Sequence, residues 1–243
     1  MKYASLTDTG LRRDKNQDSY CSIKNKYGDF LALVCDGIGG GKAGDVASGE
    51  TVKFFINEFK KSGPFKSIDE IKDYLNNKIT EINAEVNKLA SKYREFNGMG
   101  TTLTGLLFSE FGTLSINIGD SRVYGINTKE LKVLTRDHTL VNDMLDKGEI
   151  TYKESLNHPK KHYLVRAIGV NKTVSADINV VDPFDHYLIC SDGLYNCLDS
   201  ASIMKTVNDK KTVIEKRVSD LIKKALLNGG YDNVTVIVID TNE

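Results

Sequence analysis

The stretch Phe30-Leu31-Ala32-Leu33-Val34-Cys35-Asp36-Gly37 is apolar over its first six residues and then turns polar at once. A run that is apolar at nearly every position predicts a β-strand buried on both faces. The carboxylate of Asp36 follows that strand directly. We therefore expect it to be held rigidly at the rim of a hydrophobic core.

The same arrangement recurs at other aspartates along the chain. Each of four further residues adjoins an apolar strand pattern: Asp18, Asp120, Asp192 and Asp232. A single Asp-Gly pair is more often a turn than a site. Several carboxylates that converged at one rim would repel one another unless a cation neutralised them, and Mg²⁺ and Mn²⁺ prefer oxygen ligands. The set therefore predicts a divalent-metal site.

The composition is ordinary for a soluble globular protein. The 243 residues are 40% hydrophobic and 27% charged, with 33 acidic and 33 basic side chains. The zero net charge gives no reason to expect nucleic acid or an anionic membrane as a partner. No apolar run approaches the ~20 residues of a membrane span, and the N-terminus carries no export signal. Four cysteines without metal-finger spacing indicate reduced thiols. We expect a cytoplasmic monomer.

Strand and helix patterns follow one another in blocks. Strands are predicted at 3–7, 19–23, 30–35 and 234–239, with further β pattern over 101–134 and 176–190. Helices are predicted at 46–59, 68–93, 140–146, 201–207 and 213–227. The β pattern of 101–134 is interpreted as an antiparallel meander, and a capping box is expected at Ser67 and Glu70. No repeat or linker interrupts the chain, so we predict one domain over 1–243, of class α+β with mostly antiparallel sheets.

Two features bear on anion binding. The glycine-rich stretch 37–44 lacks the spacing of a phosphate-binding P-loop, because Gly41-Lys42 is followed by Ala43. We interpret its glycines as allowing the backbone to approach a metal or an anion closely. Arg13 on its own would be a solvated surface charge. Beside a metal-binding carboxylate, however, a guanidinium can hold phosphate oxygens through two parallel hydrogen bonds.

Taken in order, these motifs resemble those of the metal-dependent protein phosphatase family, type 2C, in its compact bacterial form. The matching segments are Arg13-x-x-Asn16-Gln17-Asp18, 34–40, 44–48, 98–102, 118–122, 137–139, 166–169, 190–194 and 230–235. The resemblance covers nearly the whole chain. It implies a β-sandwich of two mostly antiparallel sheets flanked by helix pairs, in α-β-β-α layers, with a flap segment at about 139–161.

The resemblance also implies a two-ion centre. Asp36 would bridge two Mn²⁺ or Mg²⁺ ions. Asp192 and Asp232 would complete the first ion's site, while Asp18 and the backbone carbonyl of Gly37 would serve the second. A water held between the ions would attack phosphorus, and no phosphoenzyme would form.

Further positions match the family's pattern or depart from it. Asp120, together with Asp192, matches the ligands of a third, weaker ion seen in bacterial members. Arg13 matches the residue that binds the substrate phosphate. Gln17 stands where some members carry Glu. Ile38 stands where eukaryotic members carry a His proposed as general acid, so the proton donor to the leaving group is unidentified; metal-bound water is our expectation.

The activity implied is hydrolysis of phosphoserine and phosphothreonine in proteins, in opposition to a bacterial Ser/Thr kinase. Two alternatives stay open. A catalytically inactive relative that binds phosphoproteins would be expected to have lost ligands, whereas Arg13 and all five aspartates are present. A phosphatase for small phosphoesters is not excluded, because specificity would lie in the segment 139–161.

Overall fold

The computed structural model describes residues 1–38 and 43–242. Within them the strands are β1 (Lys2–Asp8), β2 (Asp18–Lys24), β3 (Phe30–Ile38), β4 (Gly100–Thr101), β5 (Leu103–Ser109), β6 (Gly112–Ile118), β7 (Arg122–Ile126), β8 (Leu131–Val133), β9 (Asp177–Val181), β10 (His186–Cys190) and β11 (Val234–Asp240). The helices are α1 (Gly44–Lys61), α2 (Ile68–Lys92), α3 (Leu140–Asp146), α4 (Tyr152–Leu156), α5 (Asp192–Tyr195), α6 (Ser200–Val207) and α7 (Ile214–Leu227). The glycines at 39–41, expected to approach a metal or anion, lie outside the described residues.

The strands form two antiparallel sheets. One has the order β1-β11-β10-β7-β8, and the other has the order β2-β3-β5-β6-β9 with the short β4 beside β3. Strand β3 illustrates why they stack. Phe30 and Val34 face the other sheet, while Leu31 and Leu33 face the helices, so alternate residues are buried on opposite sides.

Three apolar clusters make up the layers. The first lies between α1, α2 and the β3 sheet, the second between the two sheets, and the third between α6, α7 and the β11 sheet. This is the α-β-β-α arrangement expected from the resemblance. The predicted α+β class with mostly antiparallel sheets is confirmed.

Helix α2 supplies the apolar face that its sequence period predicts. Its buried side chains include Ile71, Leu75, Ile79, Ile82 and Val86. The Ser67 hydroxyl accepts a hydrogen bond from the Glu70 N–H at 3.2 Å, but the Glu70 carboxylate accepts from the N–H of Lys66 rather than that of Ser67. Only half of the predicted capping box therefore forms. None of the helices in the described part of the chain is long and apolar enough to cross a membrane.

The meander predicted over 101–134 is wrong. Strands β5 and β6 pair in one sheet, whereas β7 and β8 pair in the other, and the chain crosses between the sheets at 119–121. The strand pattern could not reveal this, because β6 and β7 are both largely buried.

The segment 139–161 contains α3 as predicted. It also contains α4, a five-residue helix with a full capping box of Thr151 and Glu154. A helix of five residues is too short to show a recognisable period of apolar residues in the sequence.

Truncation of Ile82 to Ala tests the helix-on-sheet packing. Ile82 is 1% exposed on the core face of α2. Loss of the buried side chain should lower the free energy of unfolding by about 2–5 kcal/mol. Urea denaturation measures the change, with Glu85→Ala on the exposed face of the same helix as the control. Equal stability of the two variants would contradict the packing described.

Candidate active site

Asp18 and Asp36 face each other across neighbouring strands. In the antiparallel register of β2 and β3, Asp18 pairs with Asp36. Strand β3 continues to Ile38, so Asp36 lies inside the strand and not after it as predicted. The Asp36 N–H donates to Thr102 Oγ1 at 2.8 Å, and its carbonyl accepts from the Thr102 N–H at 2.9 Å. Thr102 thus binds both the N–H and the carbonyl of Asp36.

Asp18 is buried beneath the cleft that Asp36 lines. Its Oδ2 accepts hydrogen bonds from Ser191 Oγ and Thr235 Oγ1, both at 2.7 Å. Its buried Oδ1 has no hydrogen-bond partner among the residues described. Burial raises the pKa of Asp18 to about 6. A buried carboxylate oxygen without a donor requires an explanation, and a cation would supply one.

The other predicted ligands come from separate parts of the fold. Asp120 lies where the chain crosses between the sheets, Asp192 is the first residue of α5, and Asp232 lies two residues before β11. They open onto one cavity of about 310 Å³, whose lining comprises Arg13, Gln17, Asp36, Gly37, Ile38, Asp120, His162, Leu164, Asp192, Asp232 and Asn233. Except for the buried Asp18, the structure thus brings every predicted site residue to the surface of a single cleft.

Neighbouring backbone atoms lie so close to Gly37 that only glycine fits at this position. A Cβ at this position would lie 2.3 Å from the carbonyl oxygen of Gly44 and 2.6 Å from that of Gln17. Its N–H donates to the Gln17 carbonyl at 3.1 Å, which anchors the end of β3 to the loop before β2. No other residue type would fit there without displacing the backbone.

The carboxylates of the cleft are electrostatically strained. Burial raises the pKa of Asp36 well above its usual range, and repulsion from Asp18 and other aspartates adds to the effect. Burial and repulsion from Asp120 raise the pKa of Asp192 to about 8. The pKa of Asp120 rises to about 7, with burial as the main cause. A divalent cation would relieve this repulsion and displace the retained protons.

Arg13 forms an ion pair at the edge of the cleft. Its Nη2 donates to Asp232 Oδ2 at 2.7 Å, and this hydrogen bond raises the pKa of Arg13. The Arg13 side chain is 53% exposed, so most of its surface stays accessible. Asn233 secures the adjacent loop: its Oδ1 accepts from the Gln17 N–H at 2.8 Å. The predicted phosphate-binding residue therefore contacts a predicted metal ligand directly.

The donor set fits divalent cations that prefer oxygen. Within residues 1–38 and 43–242, no three acidic, histidine or cysteine side chains already surround a common metal-sized position. The cleft nevertheless gathers carboxylates with raised pKa values, and Asp18 Oδ1 is buried without a donor. Carboxylate and carbonyl oxygens suit Mg²⁺ or Mn²⁺ better than zinc, which prefers nitrogen and sulfur.

Sequence reasoning missed the residues that support the aspartates. Thr102, Ser191 and Thr235 each hydrogen-bond Asp18 or Asp36. All three lie inside the motifs quoted above, so short polar residues flanking the aspartates were the available signal. Tyr195, whose hydroxyl donates to the Asp120 carbonyl, lies one residue beyond a quoted motif. His162 lines the cleft without any spacing pattern that would have singled it out.

Comparisons with known proteins identify the class to which this fold and cleft belong. The model of the family "Protein phosphatase 2C" matches residues 11–226. The serine/threonine phosphatase stp of Listeria innocua is 38% identical over 239 residues, covering 97% of this chain and 94% of that protein. The protein phosphatase PhpP of Streptococcus pneumoniae is 31% identical over 100% of this chain and 98% of its own.

A solved structure agrees with these relatives. The crystal structure of the serine/threonine phosphatase Stp1 from Staphylococcus aureus superposes with a TM-score of 0.91 at 33% identity, covering 98% of this chain and 94% of that one. The chain belongs to the protein phosphatase 2C family. The predicted family, fold and enzyme class, a protein phosphatase, are confirmed.

Metal-free protein should lose stability as pH rises. The unfolded chain releases carboxyl protons near the usual value of 3.8, whereas folded Asp120 and Asp192 hold theirs to about 7 and 8. From about pH 3.8 up to about 7 for Asp120 and about 8 for Asp192, the folded state therefore binds more protons than the unfolded state. The free energy of unfolding falls as the pH increases through that range. In EDTA at pH 8, Asp36→Asn should unfold at a higher temperature than wild type, with a smaller difference at pH 5.

Thermal unfolding at both pH values measures this effect. Asp14→Asn, a change at an exposed aspartate nearby, is the control and should follow wild type. Added Mn²⁺ should raise the midpoint of wild type more than that of Asp36→Asn, because a ligand that binds the folded state stabilises it. A wild-type protein as stable as Asp36→Asn in EDTA at pH 8 would show that the carboxylates do not repel one another.

Proposed function

We propose that this chain removes phosphate from phosphoserine and phosphothreonine in proteins by metal-dependent hydrolysis. The observation that carries the proposal is the cleft itself: Arg13 and four carboxylates surround a cavity of about 310 Å³, with Asp18 buried below. Relatives of this chain are named as serine/threonine phosphatases. The natural counterpart of such an enzyme is a Ser/Thr kinase, and we propose that the chain opposes one, acting as a monomer.

The proposed ligands divide between two core ions, Mn²⁺ or Mg²⁺. Asp36 would serve both, because it lines the cleft and faces Asp18 across the β2–β3 pair. Asp192 and Asp232 would complete one set. Asp18 and the Gly37 carbonyl would complete the other. When bound, such ions supply Lewis-acid stabilisation of phosphoryl charge and activate the attacking water.

Asp120 would act apart from the core pair. We propose that it shares a third, weaker ion with Asp192. The raised pKa of Asp192, caused partly by repulsion from Asp120, supports their proximity. Neither carboxylate has a cationic side chain hydrogen-bonded to it among the residues described, so an ion is the natural neutralising group.

Arg13 would orient the phosphate. Its guanidinium donates from Nη2 to Asp232, and the side chain as a whole is 53% exposed. Two parallel hydrogen bonds from this fork would hold equatorial phosphate oxygens and offset the charge that develops on them. Ile38, also in the cleft lining, has no proton to give. We propose that water protonates the leaving oxygen.

The decisive experiment is hydrolysis of phosphopeptides by purified protein with and without added Mn²⁺ or Mg²⁺. Phosphoserine and phosphothreonine peptides should release phosphate only with the ion present, and chelation should abolish turnover. Asp36→Asn should lose more than about ten-fold in rate, a cost above ~1.4 kcal/mol in the barrier. Full activity after exhaustive chelation, with no bound metal found by elemental analysis, would refute the proposal.

The substrate comparison separates the alternatives. Phosphotyrosine peptides and small phosphoesters are assayed in parallel under the same metal conditions. Higher kcat/KM on small phosphoesters than on any phosphopeptide would favour the small-molecule alternative. Phosphopeptide binding without turnover at any metal concentration would favour the inactive, phosphoprotein-binding alternative.

Arg13→Ala should weaken substrate binding and leave metal binding in place. Loss of a hydrogen bond to a charged group costs ~1.5–3 kcal/mol, so KM should rise about ten-fold or more. Arg13→Lys should rescue poorly, because an ammonium lacks the planar fork. Arg12→Ala, at the exposed neighbouring arginine, is the control. If KM and kcat both stay at wild-type values, Arg13 is a solvated surface charge after all.

A further inference from the structure

Tyr195 joins the two elements that carry Asp120 and Asp192. Its hydroxyl donates a hydrogen bond to the backbone carbonyl of Asp120 at 2.9 Å. Tyr195 is the last residue of α5, and Asp192 is the first residue of the same single-turn helix. This hydrogen bond therefore connects the helix that begins at Asp192 to the crossing loop at 119–121.

The ring of Tyr195 is itself held in place. The guanidinium of Arg122 lies 3.7 Å from the ring centroid, a close cation–π contact. The edge of the same guanidinium forms a bidentate ion pair with Asp137: Arg122 Nε donates to Oδ1 at 2.9 Å and Nη2 donates to Oδ2 at 2.6 Å. Both side chains are mostly buried, at 28% and 12% exposed. The stack therefore gives the hydroxyl a defined direction.

Asp120 and Asp192 lie on separate elements, the crossing loop and α5, and both line the same cleft. On the other side of the loop, His138 clamps Gly119: the His138 N–H donates to the Gly119 carbonyl at 2.9 Å, and His138 Nδ1 accepts from the Gly119 N–H at 3.2 Å. This clamp fixes the residue before Asp120. It does not set the spacing between Asp120 and α5.

We infer that Tyr195 is a positioning residue that keeps Asp120 and Asp192 close enough to share one divalent ion, with Arg122 and Asp137 fixing its ring. The inference rests on the proposed function, because it concerns the third ion of that site. Within the described residues the Tyr195 hydroxyl makes no hydrogen bond to a carboxylate, so it would act through the backbone of Asp120.

The test is Mn²⁺ binding to the full chain, measured by isothermal titration and by electron paramagnetic resonance of free Mn²⁺. Tyr195→Phe keeps the ring over Arg122 and removes only the hydroxyl. We expect the weakest bound ion to lose about three- to ten-fold in affinity, as for one lost hydrogen bond. The tighter ions should keep wild-type affinity.

Tyr124→Phe is the matched control. The Tyr124 hydroxyl accepts a hydrogen bond from Nη1 of the same Arg122 at 3.4 Å, and in the described part of the chain it makes none to Asp120. This variant should bind Mn²⁺ like wild type. Arg122→Lys keeps the charge but loses the planar face against Tyr195, and it should weaken the same ion by an intermediate factor. Thermal midpoints in EDTA confirm that each variant is folded.

A double variant tests whether Tyr195 affects the weak ion through Asp120. In an Asp120→Ala background the weak ion should already be lost, so adding Tyr195→Phe should change nothing further. An isotherm of Tyr195→Phe that matches wild type overturns the inference, as does a wild-type isotherm with no weak third ion. A rise in KM for phosphopeptides with unchanged Mn²⁺ binding also overturns it, because Tyr195 would then contact substrate.

These outcomes are distinct from failure of the proposed function. If wild type binds Mn²⁺ and hydrolyses phosphopeptides while Tyr195→Phe is indistinguishable from it, only the positioning role fails. If wild type neither binds Mn²⁺ nor hydrolyses phosphopeptides, the proposed function fails and the inference fails with it.

Discussion

The site depends on one constraint: carboxylates placed at the rim of a hydrophobic core cannot all be charged together without a counter-charge. Asp18 and Asp36 sit opposite each other in adjacent strands, and Asp192 opens onto the same cleft. Desolvation and mutual repulsion raise the pKa values of all three. Such an arrangement costs stability, and it persists because the rest of the fold holds each backbone in place.

The aspartates are drawn from both sheets, so their spacing follows from how the sheets pack. Asp18 and Asp36 belong to the sheet of β2 and β3, while Asp192 and Asp232 flank β10 and β11 of the other sheet. Asp120 lies on the crossing between the two. The hydrogen bonds from Ser191 and Thr235 to Asp18 also span the sheets. A change in packing between the sheets would therefore alter the distances within the cleft.

Much of this arrangement could be predicted from the sequence, and the failures have a common cause. Strand and helix periods depend on neighbouring residues, so α2 and the strand ending near Asp36 were found within a few positions. Sheet membership depends on residues far apart, so the local pattern identifies β6 and β7 as β structure but does not predict the crossing between the sheets at 119–121. The Arg13–Asp232 pair joins residues 219 positions apart, and no local pattern encodes it. The family motifs placed both residues at the site without indicating that they touch.

That ion pair explains why an arginine suits position 13. A guanidinium has five N–H donors in a fixed plane, and Arg13 uses Nη2 on Asp232. In the proposed reaction, the other donors would bind the phosphate while the contact with Asp232 persists, so one side chain would hold carboxylate and phosphate in a fixed relation. A lysine would present a compact ammonium without that planar geometry. In the proposed reaction, Arg13 would thus relate the position of the phosphate to that of a metal-binding carboxylate, and its contribution would come from geometry as well as from charge.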